Sequence, residues 1–125
     1  MSGLAGEEAI GLAETLLDIE RELAGGGGSA YRRRLCEDAI VIVPGRALDK
    51  RATVAAMDAS PGWDAFWMEE SRSLRLGAGA AMLTYRFHGR RADLDYEAIL
   101  SSTYVKDPSG AWKLAFHQQT PIVPG

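Results

Sequence analysis

From Trp63 onward the chain offers four extended, apolar-rich stretches, about 65–76, 80–88, 94–106 and 112–120, separated by links too short to be crossovers. Parallel neighbours need a connection of a dozen or more residues, so strands spaced like this form an antiparallel meander. The links carry turn chemistry. Gly77-Ala78-Gly79 makes one, His88-Gly89-Arg90 begins another, and Asp107-Pro108-Ser109-Gly110 has the order of a tight turn.

Ahead of the meander the periodicity is helical. Ala9, Leu12, Leu16, Ile19 and Leu23 recur at three- and four-residue steps with Glu8, Glu14, Asp18, Arg21 and Glu22 between them, which predicts an amphipathic helix over roughly 7–24. The glycines at 25–28 should stop it, because glycine has the most backbone entropy to lose. Ser29 is placed to cap a short second helix ending near Cys36, and 39–43 is a β-branched run closed by Pro44-Gly45. Asp49 is placed to cap a third helix, from Lys50 to about Met57, which ends at Ser60-Pro61-Gly62. Helices followed by a meander predict one α+β domain over 1–125, with the helices on one face of a bent, mostly antiparallel sheet.

Composition narrows the function classes. Fourteen Lys and Arg against 17 Asp and Glu leave a net charge of −3, the wrong sign for a nucleic-acid partner. No apolar run reaches membrane-spanning length and the first residues lack a signal-peptide pattern, so no membrane partner is expected. The single Cys36 fits a reduced thiol in a cytoplasmic protein. His88, His117 and Cys36 lack metal-ligand spacing, and neither a phosphate-cradling loop nor a Gly-x-Ser-x-Gly elbow is present. Neither metal nor cofactor is expected. Ile99, Val105 and Ala115 interleave with Leu100, Tyr104 and Leu114, so both sheet faces need cover, and a homodimer through the outer face would supply the second.

The stretch Leu35-Cys-Glu-Asp-Ala-Ile-Val-Ile-Val-Pro-Gly45, and the closing Gly110-Ala-Trp-Lys-Leu-Ala-Phe-His-Gln-Gln-Thr-Pro121, resemble the nuclear-transport-factor-2-like (NTF2-like) superfamily. The resemblance points to its SnoaL-like and ketosteroid-isomerase-like branch, among small bacterial stand-alone members. It implies a cone-shaped, cystatin-like α+β fold, with three N-terminal helices packed on a strongly bent, mixed, mostly antiparallel sheet. That cone hosts isomerases, cyclases, dehydratases, binding proteins and assembly domains, so the fold alone names no activity. Ketosteroid isomerases of this kind carry a general-base Asp just before the proline ending the first strand, where this chain has Val43. Their oxyanion-stabilising acid falls on Ser102. Steroid isomerisation by that acid and base is therefore not expected.

The resemblance turns His117 and Gln119 into the cone, near Ser102, where a neutral imidazole can act as a general base or orient a polar ligand group. Tyr85 shares a strand face with Leu83 and Phe87, and its hydroxyl needs a partner if buried. Trp63 and Trp67 fall where the resembled fold has its cavity mouth, and either could instead cover a dimer seam. The expected lining is Leu16, Ile19 and Leu23 with Val43, Met57, Trp63, Tyr85 and Ser102, over a polar floor of His117 and Gln119. Three functions follow: a dimeric binder of a small, largely apolar molecule; a SnoaL-like isomerase, cyclase or dehydratase with His117 as base; or an assembly domain whose cone is filled by side chains. Arg32, Arg33 and Arg34 point in different directions around a helix and read as a solvated surface, while Asp93, Asp95 and Glu97 read as edge charge paired with Arg86 or Arg90.

Overall fold

One mixed sheet of six strands, in the order β2-β1-β6-β5-β4-β3, carries the computed structural model, which describes residues 2–123 and the side chains at 8 and 10–123. The elements follow the chain as α1 (Ser2–Arg34), β1 (Leu35–Val43), β2 (Arg46–Leu48), α2 (Lys50–Ala59), β3 (Ala65–Gly77), β4 (Ala80–Arg91), β5 (Leu94–Lys106) and β6 (Trp112–Pro121). The meander β3 to β6 is antiparallel throughout, and β6 then lies parallel to β1, which makes the sheet mixed.

A helix stop is expected at the glycines 25–28 and the break falls inside that run, so α1 is two helical segments meeting at a kink, followed later by α2. α1 continues through Gly25 and Gly26 and breaks only at Gly27, whose φ of 62° and ψ of −155° lie outside helical space. Ser29 does not cap a new helix; its hydroxyl donates back to the Gly26 carbonyl at 3.3 Å. Gly28 has a packing role, since a Cβ there would stand 2.0 Å from Asp58 Oδ1 and 2.8 Å from the Val54 carbonyl on α2. The segment beyond the break folds against the first part of α1, where Arg33 and Arg34 reach Glu22 at 3.1 and 2.7 Å. Arg32 reaches Asp58 at 3.5 Å, so this arginine run is paired at a half-exposed surface.

Leu12, Leu16, Ile19 and Leu23 form the buried stripe of α1, as their spacing predicts; Ala9 lies outside the residues whose side chains are described. Asp49 caps α2 by accepting from the Ala52 N–H at 2.8 Å. The short strand β2 is unforeseen. Pro44-Gly45 turns the chain back, Gly45 adopting a φ of 79°, and Arg46–Leu48 pairs with β1. Inward residues alternate cleanly on β4 (Ala81, Leu83, Tyr85, Phe87) and β5 (Ala98, Leu100, Ser102, Tyr104). On β6 the alternation slips at a bulge, where Tyr104 pairs with Leu114 but Thr103 pairs with Phe116. Ala115 is the extra residue, so Leu114 and His117 both point inward without sharing an even step. Leu16, Leu83 and Leu114 are each fully buried and contribute about 1.5–3 kcal/mol apiece.

Candidate functional site

Under α1 the apolar interior gives way to a cluster of polar side chains around Glu20. This carboxylate is only 2% exposed, and it accepts hydrogen bonds from the Tyr85 hydroxyl on one oxygen and the Tyr104 hydroxyl on the other. Two donors on two oxygens match the acceptor-only inventory of a carboxylate. His117 stands beside them. Its Nδ1 lies 3.8 Å from Glu20 Oε1 and 2.8 Å from the hydroxyl of Ser102, its directly paired neighbour on β5. Burial pushes the His117 pKa below its ordinary value, and the Glu20 charge opposes that with the smaller effect. Burial, reinforced by the same charge, lifts the Tyr85 and Tyr104 phenols well above theirs.

No buried side-chain nitrogen or oxygen among the described residues lacks a hydrogen-bond partner. His117 Nε2 and the Tyr31 hydroxyl make no such bond and therefore open onto free space. That space is a chamber of about 40 Å³ bounded by Glu20, Tyr31, Tyr85, Leu100 and His117, with aromatic walls from Trp63, Phe87 and Tyr96. By volume it holds about three water-sized groups. It lies at the bottom of a wider basin of about 730 Å³, with which it shares Leu23, Ala24, Tyr31, Trp63, Tyr96 and Gln119. The rest of the basin lining includes Val43, Pro44, Met57 and Arg91.

Aromatic packing fixes the wall between the two spaces. Trp63 stacks on Tyr96 with centroids 5.6 Å apart, leans on Phe87 at 5.3 Å, and carries the Arg91 guanidinium 4.4 Å from its ring centre. Arg91 is held there by the Gly62 carbonyl at 2.6 Å and the Ser60 hydroxyl at 3.3 Å. Gly89 makes the stacking possible, because a Cβ at that position would stand 2.6 Å from the Trp63 ring. Tyr96 donates to Gln119 Oε1 at 2.9 Å and so orients the amide at the boundary.

The residues singled out from the sequence are distributed accordingly. Tyr85, Trp63, His117, Gln119 and Leu23 line the chamber, while Val43 and Met57 line only the basin. Ser102 sits behind His117 and supports it. Leu16 and Ile19 are buried core residues and line neither the chamber nor the basin. Trp67 is on the outer face of β3, 53% exposed and stacked on His88 at 4.7 Å, whereas Trp63 faces the basin. Glu97 pairs with Arg86 at 2.8 Å and Asp95 with Arg90 at 2.9 Å, as edge charges.

Sequence reasoning missed Glu20, the centre of the cluster. Its signal was present: it lies four residues after Leu16 and three before Leu23, on the stripe that α1 buries. Tyr31 and Tyr96 were missed as well. Tyr96 is in even register with Leu100 and Ser102 along β5, which by itself turns it inward.

A long, kinked helix laid over a mixed six-stranded sheet is the NTF2-like fold, and solved structures share it. A candidate ketosteroid isomerase from Parabacteroides distasonis superposes with a TM-score of 0.78 at 19% identity, over 90% of this chain and 89% of that one. An NTF2-like protein of unknown function from Prochlorococcus gives 0.76 at 19% identity, over 90% of this chain and 94% of that one. Another, from Pseudomonas aeruginosa, gives 0.68 at 24% identity, over 91% and 95%. No protein-family profile matches the sequence, and no curated protein matches it significantly.

Proposed function

We propose that this NTF2-like chain binds a small organic molecule in the basin and chamber, as a homodimer joined through the outer sheet face. The observation that carries the reading is the pair of unengaged polar atoms, His117 Nε2 and the Tyr31 hydroxyl, at the end of an aromatic-walled pocket. A chamber of about 40 Å³ admits a head group only, so the body of the ligand occupies the basin. Register breaks between Glu69 and Arg72 and between Thr103 and Tyr104 support the bent sheet of a cone, because bulges bend strands. The dimer is supported by Ile40, Leu74 and Ile99, each about half exposed on the outer face. The unpaired Cys36 accords with a cytoplasmic protein.

A second reading, acid–base catalysis of the SnoaL-like kind, is supported by the Glu20–His117–Ser102 arrangement. A carboxylate 3.8 Å from Nδ1 favours hydrogen on that nitrogen, which leaves the Nε2 lone pair facing the chamber as a base. Thermal-shift screening of small carbonyl, alcohol and amine compounds tests both readings. A compound that stabilises the wild type and not His117→Ala supports the pocket, and its turnover by the wild type alone supports catalysis. Shifts that are equal in the two proteins for every compound would overturn the assignment of this pocket.

A further inference from the structure

We infer that the pocket selects a primary amine, whose protonated head group enters the chamber between Glu20, Tyr31 and His117 while its body lies along Trp63 in the basin. The inference rests on the pocket being a ligand site. Charge is the first argument. Among the described residues that line the chamber there is no Lys or Arg, and Glu20 is the one carboxylate. Its nearest basic group is His117, 3.8 Å away, which burial keeps toward the neutral form. A buried carboxylate without a cation is costly, so a cationic ligand relieves a penalty that a neutral one leaves in place.

Wall chemistry points the same way. Tyr31, Trp63, Tyr85, Phe87 and Tyr96 surround the space, and aromatic ring faces attract cations. The free polar atoms are matched to donors: His117 Nε2, in the tautomer that the neighbouring carboxylate favours, and the Tyr31 oxygen both accept. A primary ammonium has three donors to offer them, and a quaternary one has none.

Size and the basin lining refine the class. A space of about 40 Å³ accepts a CH2–NH3 group of two heavy atoms, within the roughly three water-sized groups it can hold, but not a bulky trimethylammonium. Arg91 puts a fixed positive charge beside Trp63 in the basin, which disfavours a second amine on the body. The predicted ligand is a monoamine with a flat, neutral or acidic body.

Isothermal titration at pH 7.5 with benzylamine and benzyl alcohol, which share ring and length, tests this. Benzylamine is expected to bind about tenfold more tightly or better, the scale of one cation–π contact plus a charge-assisted hydrogen bond. Glu20→Gln is expected to abolish the preference. If that variant does not fold, the wild-type comparison remains decisive, because it needs no substitution. Equal binding, or tighter binding of the alcohol, overturns the amine inference and leaves the pocket standing. Binding of neither at millimolar concentration overturns both.

Discussion

Glu20 and Tyr104 stand 84 positions apart in the sequence and meet in the interior, the phenol of β5 donating to the carboxylate of α1. Tyr85 makes the matching bond from β4, so one acidic side chain ties the helix to two strands. The bonds fix where α1 lies over the sheet, and with it the roof of the chamber.

Replacing Tyr104 by Phe removes a donor from a buried carboxylate and little else. The expected cost is about 1–3 kcal/mol, read as a lower urea midpoint at unchanged slope. Tyr85→Phe should act in the same direction, and the double variant should depart from the sum, because both phenols serve one group. Unchanged midpoints would mean that the Glu20 cluster does not form.

All four tyrosines of the chain have pKa values raised by burial, and for Tyr31, Tyr85 and Tyr104 the Glu20 charge adds to it. The unfolded chain loses these protons near pH 10 and the folded chain holds them, so stability is full below that pH and is lost as pH rises above it. Absorbance at 295 nm should therefore show at most the half-buried Tyr96 titrating in the folded protein, the other three phenolates appearing together with the loss of near-ultraviolet circular dichroism. Phenolate absorbance of more than one tyrosine developing at pH 10 in the folded protein would contradict the enclosure of Tyr31, Tyr85 and Tyr104.

His117 gives the opposite limb. Its folded pKa lies below the ordinary 6.5, so the unfolded chain takes up a proton that the folded one refuses. The corresponding stability is complete above about pH 6.5 and declines as pH falls below it. The urea midpoint of the wild type should drop between pH 7.5 and 5.5, and His117→Gln should drop less. Parallel declines in the two proteins would place the titration elsewhere.

The backbone of the site was more legible than its chemistry. Strands from Ala65 to Pro121 declare themselves through turn residues at short spacing, and Asp49 marks α2 because capping is a local event. His117 was found, but only through resemblance, since the bulge at Ala115 breaks the alternation that would have turned it inward by counting. Glu20 was hidden by its type: a glutamate on a helix is ordinarily solvated, and its burial depends on phenols 65 and 84 positions away. The glycine run marks the break in α1, which falls at Gly27, whereas the close approach of α2 at Gly28 depends on a contact that composition does not record.

Gly89→Ala should disturb the pocket without touching its polar atoms. The new methyl group would meet the Trp63 ring at about the 2.6 Å given for an ideal Cβ, so the indole must move. A shifted tryptophan emission maximum and a loss of about 1–3 kcal/mol are expected. Identical emission and stability would show that Trp63 does not pack on this strand.

The proposed dimer is read by sedimentation at micromolar concentration. The wild type should run at twice the chain mass, and Ile99→Asp, at a residue 47% exposed on the outer face, should run as a monomer. A monomeric wild type would remove the dimer and leave the pocket untouched.

The most direct test of the pocket itself is a crystal structure grown at neutral pH and inspected between Glu20, Tyr31 and His117. Non-protein density within hydrogen-bonding distance of His117 Nε2, with the Trp63 and Tyr96 rings stacked above it, is the predicted result. A chamber closed by rotated side chains, with Nε2 bonded to another protein atom, would contradict the account.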